Sequence, residues 1–525
     1  MARPSRVVAS VTAAALVALV GYVALDAADV VPGVVTAAPV ATPTSTTTST
    51  ASPATTPTGD DAPPTSSAAP TADPAVVPTS PPLPGLSPSA PMPDPGVLAA
   101  TLTPLLAAPA LGPGASISVR DAATDTPLLG VRATRPGAPA SSTKVVTAAA
   151  VVAGSSPTDR FTTRVVEGPA SAGNRVVVLV AGGDNLLATG AGTPGAVAGR
   201  AGLADLAAGV ARSLRAGDGP AGQSSPAASP TASSSSTPTA PARRVTVVLD
   251  DRHARGPALA PGWAPGDVAV GITGPVAMLG LATDRAIPGR PASADPAMRA
   301  AAAFRAALAA ALARHGVAVA PAVARGAAPA GAATLASVDS APVVDVLALA
   351  LDESDNDLTE SVARWACARN GAPVTFAGCA GWVRSRAVAL GLPQAGLRLL
   401  DTSGLTRGTT VPADTLARTV TLATTGAEPN LARVLARSPV AGLSGTLADR
   451  YRSGPSRAGA GVVRAKTGTL TGVSTLTGTV VSKDGRLLAF SIVADSAPPS
   501  GTLAARAALD RVATTLAACG CRSAG

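Results

Sequence analysis

The stretch Pro139-Ala-Ser-Ser-Thr-Lys-Val-Val-Thr-Ala-Ala-Ala150 places a serine three residues before a lysine, at the predicted start of an alanine-rich helix. Positions i and i+3 of a helix share a face, so the side chains of Ser141 and Lys144 are expected to point into one volume. A serine needs an adjacent base to become a good nucleophile, and a lysine kept neutral by burial or a neighbouring cation is such a base. The alternative interpretation is a helix-capping serine with a solvated lysine one turn later.

Lysine is rare in this chain, and its positions favour the reactive interpretation. Among 525 residues and 41 basic side chains, only Lys144, Lys466 and Lys483 are lysines. Arginine stays protonated in proteins and cannot act as the base beside a serine. Lys466 begins the sequence Lys-Thr-Gly, and Ser354-Asp-Asn356 lies between the first two lysines. Lys483 falls in a Lys-Asp-Gly turn between two apolar, β-branched runs, a strong hairpin signal that explains this third lysine.

The N-terminal part of the chain is predicted to lie outside the folded region. The apolar run from Val7 to Leu25 follows two arginines and indicates either a signal peptide or a membrane anchor within residues 1–28, so the rest is expected to be exported. Residues 29–95 are rich in Thr, Ser and Pro and are predicted to form a disordered spacer, as is the internal stretch 217–242. The spacer is read either as a tether toward the cell wall or as a low-complexity remnant.

Composition and residue spacing make several other functions improbable. The net charge is +9 with only three Trp, two Tyr and four Phe, and dispersed arginines without aromatic platforms do not indicate nucleic-acid binding. His253 and His315 are remote from each other, so no metal site is predicted, and no cofactor motif is present. Four cysteines in an exported protein suggest disulfides, with three pairings open. The short loop between Cys367 and Cys379 favours that pair, leaving Cys519 and Cys521 paired or free.

The order Ser-x-x-Lys, Ser-Asp-Asn, Lys-Thr-Gly resembles that of class A β-lactamases and penicillin-binding proteins. About 200 residues separate Ser141 from Ser354, enough for an inserted domain that a compact β-lactamase does not need. From about Gly96 to Ser496 the chain therefore resembles the class C penicillin-binding proteins, the D-alanyl-D-alanine carboxypeptidase and endopeptidase family. Further stretches similar to that family are Gly182-Gly-Asp184, Asp250-Asp251, Pro261-Gly-Trp263, Asp401-Thr-Ser-Gly-Leu-Thr-Arg407, Pro439-Val-Ala-Gly442 and Gly445-Thr-Leu447.

The resemblance implies an α+β fold, the penicillin-binding or serine β-lactamase-like transpeptidase domain. In this fold an antiparallel sheet is flanked by helices and accompanied by a helical subdomain. The catalytic domain is expected to be discontinuous, formed by residues 96–155 and 345–525, with a large inserted domain at 156–344. The chain's own patterns agree with this, because strands are predicted at Ala115–Arg120 and Pro127–Val131 directly before the reactive helix.

The resemblance also implies a role for each motif residue. Ser141 attacks the carbonyl between the last two D-alanines of a peptidoglycan stem peptide and forms an acyl-enzyme, with Lys144 as base. Ser354 relays a proton to the leaving amine and Asn356 binds the substrate backbone. Lys466 supplies positive charge, and Thr467, Gly468 and Thr469 bind the terminal carboxylate. The main-chain N–H groups of residues 141 and 469 are expected to form the oxyanion hole.

Two alternatives to a penicillin-inhibited carboxypeptidase remain at this point, a serine β-lactamase and a non-catalytic penicillin-binding wall protein. The insertion disfavours the first, and two lysines in motif register disfavour the second. In class A β-lactamases a glutamate activates the deacylating water. In this chain Glu360 and Glu428 are the only glutamates between the second and third motifs. Glu360 is interpreted as a solvated or first-turn carboxylate of a helix and Glu428 as a turn residue. A slow-deacylating enzyme is therefore expected.

Overall fold

A computed structural model of the chain describes residues 86–87, 89–169, 174–216 and 244–520. These residues belong to one compact unit, Leu86–Gly525. The segment 1–28, most of the spacer, the internal stretch 217–242 and Cys521 lie outside the described residues, so the predictions made for them stay predictions. Within the described part, no helix is both long and apolar enough to span a membrane.

The strands predicted at Ala115–Arg120 and Pro127–Val131 and the reactive helix after them are present. The helices are α1 Pro95–Leu106, α2 Thr143–Ala153, α3 Leu203–Ala216, α4 Pro265–Ala269, α5 Pro296–Ala313, α6 Val343–Asp352, α7 Asn356–Arg369, α8 Phe376–Ala389, α9 Ala413–Thr424, α10 Pro429–Leu435 and α11 Thr502–Ala518. The strands are β1 Ser116–Asp121, β2 Pro127–Val131, β3 Arg160–Glu167, β4 Asn174–Val180, β5 Arg244–Asp250, β6 Ala318–Arg325, β7 Thr334–Pro342, β8 Val463–Leu470, β9 Val473–Val481 and β10 Leu487–Ala494.

The first sheet has the order β2-β1-β10-β9-β8, and its neighbouring strands run antiparallel. Apart from Leu487, which is half-buried, every residue of the central strand β10 is buried because both of its faces are covered. Helices α1 and α11 pack on one face with Leu102, Leu509 and Phe490 in a shared apolar core, and α9 packs on the other. The hairpin between β9 and β10 turns at Lys483-Asp-Gly485, where Gly485 adopts a φ of 85° and Lys483 is exposed, as predicted.

The second sheet has the order β6-β5-β4-β3-β7, and all of its strands lie between residues 160 and 342. Strands β4, β5 and β6 are parallel, whereas β3 pairs antiparallel with both β4 and β7. Parallel strands need a crossover, and α5 supplies it between β5 and β6. This helix buries Ala300, Phe304, Leu308 and Leu312, spaced four residues apart along one face.

The first two motifs are carried by helices that connect strands of different sheets. Helix α2 lies between β2 and β3, and α6 and α7 lie between β7 and β8. Helix α2 is buried from Thr143 to Val152, and its alanines allow close packing against α8. Cys367 on α7 and Cys379 on α8 are both buried and are free thiols, so the predicted bond between them is wrong. The two thiols lie next to each other without a disulfide bond. A hydrogen bond with Cys367 raises the pKa of Cys379, whose thiol also donates to the carbonyl oxygen of Pro373 at 3.7 Å. Cys519 is disulfide-bonded.

Candidate active site

The reactive pair forms where a short 3-10 turn, Ala140–Ser142, leads into α2. The Nζ of Lys144 lies 2.9 Å from the Oγ of Ser141. Ser142 makes no capping bond and instead shares a hydrogen bond of 2.8 Å with the hydroxyl of Thr475. Lys144 has no exposed surface. The alternative of a capping serine with a solvated lysine is therefore wrong, and the geometry is that of a nucleophile beside a base.

Burial prepares Lys144 to act as a base. Its Nζ also donates to the Oδ1 of Asn356 at 2.6 Å and to the carbonyl oxygen of Ser403 at 2.9 Å. Burial lowers the pKa of Lys144 from 10.5 to about 8, although the negative charges of Asp401 and Glu360 oppose the shift. A neutral amine is therefore accessible near physiological pH, within hydrogen-bond reach of the serine hydroxyl.

The second motif enters from the turn between α6 and α7. Ser354 adopts a φ of 59°, a left-handed conformation that is uncommon for a residue other than glycine. This backbone conformation allows the Oγ of Ser354 to accept a hydrogen bond of 2.8 Å from the Nζ of Lys466. Asn356 begins α7, and Asp355 caps that helix by accepting from the N–H of Leu358.

Lys466 is as buried as Lys144 and closes the polar cluster from the sheet side. Its Nζ donates to the carbonyl oxygen of Thr467 at 2.7 Å in addition to Ser354. Burial, followed by repulsion from Lys144, holds the pKa of Lys466 well below 10.5. Two lysines buried together disfavour each other's protonation, so the cluster resists carrying two positive charges at once.

Strand β8 brings the third motif against the reactive turn. A Cβ on Gly468 would come within 2.7 Å of the carbonyl oxygen of Pro139 and 3.1 Å of the Cβ of Ala140. Only glycine allows this approach without displacing the turn. Residues 439–441 pair with the free edge of β8 as far as Ala465, and the edge at residues 467–469 lies beyond this pairing. The hydroxyl of Thr467 bonds to Thr446 at 2.7 Å, and Arg506 donates weakly to the hydroxyl of Thr469 at 3.4 Å.

Glu360 contradicts its interpretation as a solvated or first-turn carboxylate. Its side chain is buried and accepts from the N–H of Thr402 at 2.9 Å, from the hydroxyl of Thr402 at 2.6 Å and from the N–H of Ser403 at 2.7 Å. Burial and the nearby Asp401 raise the pKa of Glu360 to about 7. Because its oxygens are occupied by the loop that presents the Ser403 carbonyl to Lys144, Glu360 supports the base and has no free oxygen for a water.

Asp401 and Trp263 make contacts near Lys144 for which the sequence gave no indication beyond family signatures. The carboxylate of Asp401 accepts from the main-chain N–H groups of Gly404 at 2.7 Å and Thr406 at 2.6 Å, and from the indole Nε1–H of Trp263 at 3.0 Å. Two signature stretches that are far apart in sequence therefore meet behind Lys144. The available signal was an Asp-Thr-Ser-Gly sequence of small polar residues, a composition typical of tight loops.

Gly182 and Asp184, the ends of one signature stretch, have structural contacts. A Cβ on Gly182 would come within 2.0 Å of the carbonyl oxygen of Thr162, so Gly182 permits close packing between β3 and the end of β4. Asp184 accepts from the N–H of Leu186 at 2.8 Å and shapes the loop that follows. In the part of the chain that the structure describes, no group of three or more His, Cys, Asp or Glu side chains could hold a metal ion.

The chain is similar in sequence to a family of known proteins. The profile of the D-Ala-D-Ala carboxypeptidase 3 (S13) family matches residues 98–216 and 286–516. Carboxypeptidase DacB of Mycolicibacterium smegmatis is 35% identical over 390 residues, which cover 73% of this chain and 76% of that protein. A carboxypeptidase of Mycobacterium tuberculosis is 34% identical over 384 residues, with the same shares of 73% and 76%.

A solved structure shares the fold. The crystal structure of penicillin-binding protein 4 from Haemophilus influenzae superposes with a TM-score of 0.58 at 18% sequence identity, covering 81% of this chain and 98% of that one. The predicted α+β architecture of the penicillin-binding enzymes is thereby confirmed.

Proposed function

The chain belongs to the D-Ala-D-Ala carboxypeptidase 3 (S13) family, and from this premise we propose that Ser141 is the nucleophile with which it cleaves the terminal peptide bond of peptidoglycan stem peptides. The protein is a serine-type D-alanyl-D-alanine carboxypeptidase of the penicillin-binding class, and its substrate polymer places its function outside the cytoplasm. The observation that carries the residue assignment is a pair of short hydrogen-bond sets, one joining Ser141, Lys144 and Asn356 and the other joining Ser354 and Lys466. The two lysines lie close enough that, in addition to burial, Lys144 lowers the pKa of Lys466.

The proposed acylation step uses the two lysines and the Ser354 hydroxyl. Ser141 Oγ attacks the carbonyl carbon of the penultimate D-alanine while its proton passes to the neutral Nζ of Lys144. Ser354 delivers its proton to the nitrogen of the leaving D-alanine as the C–N bond breaks and takes a proton in turn from Lys466, which is hydrogen-bonded to it. The main-chain N–H groups of Ser141 and Thr469 stabilise the tetrahedral oxyanion, a kind of contribution worth roughly 10²–10³ in rate.

The proposed substrate-binding site is the edge of β8. A peptide lying along Thr467-Gly468-Thr469 adds to the sheet as a further strand and places its scissile carbonyl beside the reactive turn. The amide of Asn356 hydrogen-bonds its backbone. The hydroxyls of Thr467 and Thr469 then bind the terminal carboxylate, with positive charge from Lys466 when that amine is protonated.

Deacylation uses the same groups in reverse, because the carboxylate of Glu360 is engaged with Thr402 and Ser403. A water takes the place of the departed D-alanine and is activated by Lys144 and Ser354. A bulky penicilloyl group blocks that position, so β-lactams are proposed to be covalent inhibitors and the β-lactamase alternative is disfavoured.

We also propose that residues 156–344 form an inserted domain and that residues 7–25 anchor or export the chain.

The test is an incubation of the full-length protein with a pentapeptide stem and, separately, with a stem dimer cross-linked through D-alanine, with products identified by mass. Loss of one D-alanine from the pentapeptide is the expected result. Cleavage of the dimer to monomers would add a D,D-endopeptidase activity, which the open edge of β8 permits. If neither substrate changes while a control carboxypeptidase acts on both, the proposed function is wrong.

A further inference from the structure

One segment of the second-sheet region, residues 160–342, is in direct contact with the Ser354-Asp-Asn356 motif. This segment, residues 271–285, connects α4 toward α5 and lies between the two stretches that the family profile matches. The side-chain amide of Asn356 donates to the carbonyl oxygen of Ile272 at 2.8 Å, and the N–H of Gly274 donates to Asp357 at 2.8 Å. The second motif is therefore held from outside the helices that carry it.

The strongest of these contacts is made by Arg285. Its Nε and Nη2 donate to one carboxylate oxygen of Asp355 at 2.9 and 2.6 Å, and its guanidinium also bonds to Glu353. The side chain of Arg285 is 12% exposed and that of Asp355 is 3% exposed, so the pair is well shielded from water. The other oxygen of Asp355 caps α7 through the N–H of Leu358, so one carboxylate links Arg285 to the helix that begins with Asn356.

The turn needs such a partner for two physical reasons. Ser354 holds a left-handed φ of 59°, a conformation that a residue with a side chain keeps only when its surroundings hold it there. Glu353, Asp355 and Asp357 also place three acidic side chains within five residues. Like charges so close repel one another, and Arg285 offsets that repulsion by binding two of them.

We propose that Arg285 is a positioning residue for acylation, which holds the Glu353–Asn356 turn so that Ser354 Oγ and Asn356 Oδ1 meet the two lysines. This inference rests on the proposed function of Ser141. Arg285 touches neither the reactive serine nor the lysines in the described contacts and acts through Glu353 and Asp355. Displacement of a proton-relaying group by about 1 Å can cost on the order of 10²-fold in rate, which sets the size of the expected effect.

The experiment compares Arg285→Gln and Arg285→Lys with wild type, using the rate of fluorescent penicillin acylation and the melting temperature of the full-length protein. Arg285→Gln is expected to acylate about 10²-fold more slowly. Arg285→Lys keeps the charge and is expected to acylate about tenfold faster than Arg285→Gln. It stays slower than wild type because lysine lacks the planar fork of donors.

The matched control is Arg325→Gln. Arg325 also binds two carboxylates, Asp251 at 2.9 Å and Asp295 at 2.8 Å, but makes no contact with the motif residues in the described part of the chain. Because Arg325 and Asp295 are more exposed than Arg285 and Asp355, this variant is expected to lose less melting temperature than Arg285→Gln and to acylate at the wild-type rate.

The possible results separate the two claims. If Arg285→Gln acylates as fast as Arg325→Gln, or if Arg285→Lys is no faster than Arg285→Gln, the positioning role is overturned. If Arg285→Gln does not fold, the acylation rate of Arg285→Lys relative to Arg325→Gln decides, and equality overturns the role. If wild type itself carries no penicilloyl group on Ser141, the proposed function fails instead.

Discussion

Replacing Ser141 with alanine is expected to abolish covalent labelling by a fluorescent penicillin. The Oγ of Ser141 lies 2.9 Å from Lys144 Nζ and is the atom that forms the acyl bond in the proposed mechanism. Removing this hydroxyl is expected to leave no nucleophile beside Lys144, because the neighbouring Ser142 hydroxyl is bonded to Thr475 and Thr477 instead. The measurement is the fluorescence of the protein band after a fixed incubation, with the adduct mapped by peptide mass.

Ser142→Ala is the matched control, since it makes the same substitution at the neighbouring serine. Ser142 is buried and bonded to Thr475 at 2.8 Å, so its loss is expected to cost about 1 kcal/mol of stability and to leave labelling largely intact. An adduct found on Ser142, or labelling that persists in Ser141→Ala, would show that the nucleophile has been assigned to the wrong residue.

Replacing Lys144 with methionine is expected to slow acylation by roughly 10²–10⁴-fold, the range over which general bases contribute. The substitution keeps an unbranched chain of similar length in the buried site but removes the proton acceptor of Ser141. Stopped-flow or quenched-flow labelling at several penicillin concentrations gives the acylation rate constant, and the melting temperature shows whether the fold survives.

Lys144→Arg distinguishes a base from a simple positive charge. Arginine keeps a cation in place but cannot be deprotonated, so it is expected to be as slow as the methionine variant. In wild type the acylation rate is expected to rise with pH through about 8, because the neutral form of Lys144 accumulates as pH passes its lowered pKa. A Lys144→Arg variant with near wild-type acylation, or a flat pH profile, would mean that Lys144 acts only through its charge.

Much of the site was accessible from sequence because its chemistry is local. The three-residue spacing of Ser141 and Lys144 fixes their contact within one helical turn, and the rarity of lysine marks both Lys144 and Lys466. The hairpin at Lys483-Asp-Gly485 and the strand β10 follow from turn chemistry and from a run of buried apolar residues. The family resemblance placed Ser354 and Asn356, whose meeting with the lysines depends on contacts across roughly 200 residues.

The features that sequence missed depend on tertiary burial. Glu360 carries a charge at the start of a helix, where exposure is the usual outcome, and only the fold shows the loop at Thr402 and Ser403 closing over it. The hydrogen bond between Trp263 and Asp401 joins the second-sheet region to the loop beside Lys144, and no local sequence pattern predicts it. For Cys367 and Cys379 the spacing correctly indicated neighbouring side chains, but the structure holds both as free thiols.

The most direct test of the central claim, a serine acyl-enzyme that turns over stem peptides but not penicillin, is a time course of intact-protein mass after one equivalent of penicillin. A single penicilloyl adduct on Ser141 is expected to persist for minutes or longer, while a parallel unmodified sample releases D-alanine from a pentapeptide under the same conditions. The structural reason is that Glu360 is engaged with Thr402 and Ser403, so its carboxylate is not free to activate a water against the adduct. Rapid return to the unmodified mass with many equivalents of hydrolysed drug would contradict the account and identify a β-lactamase.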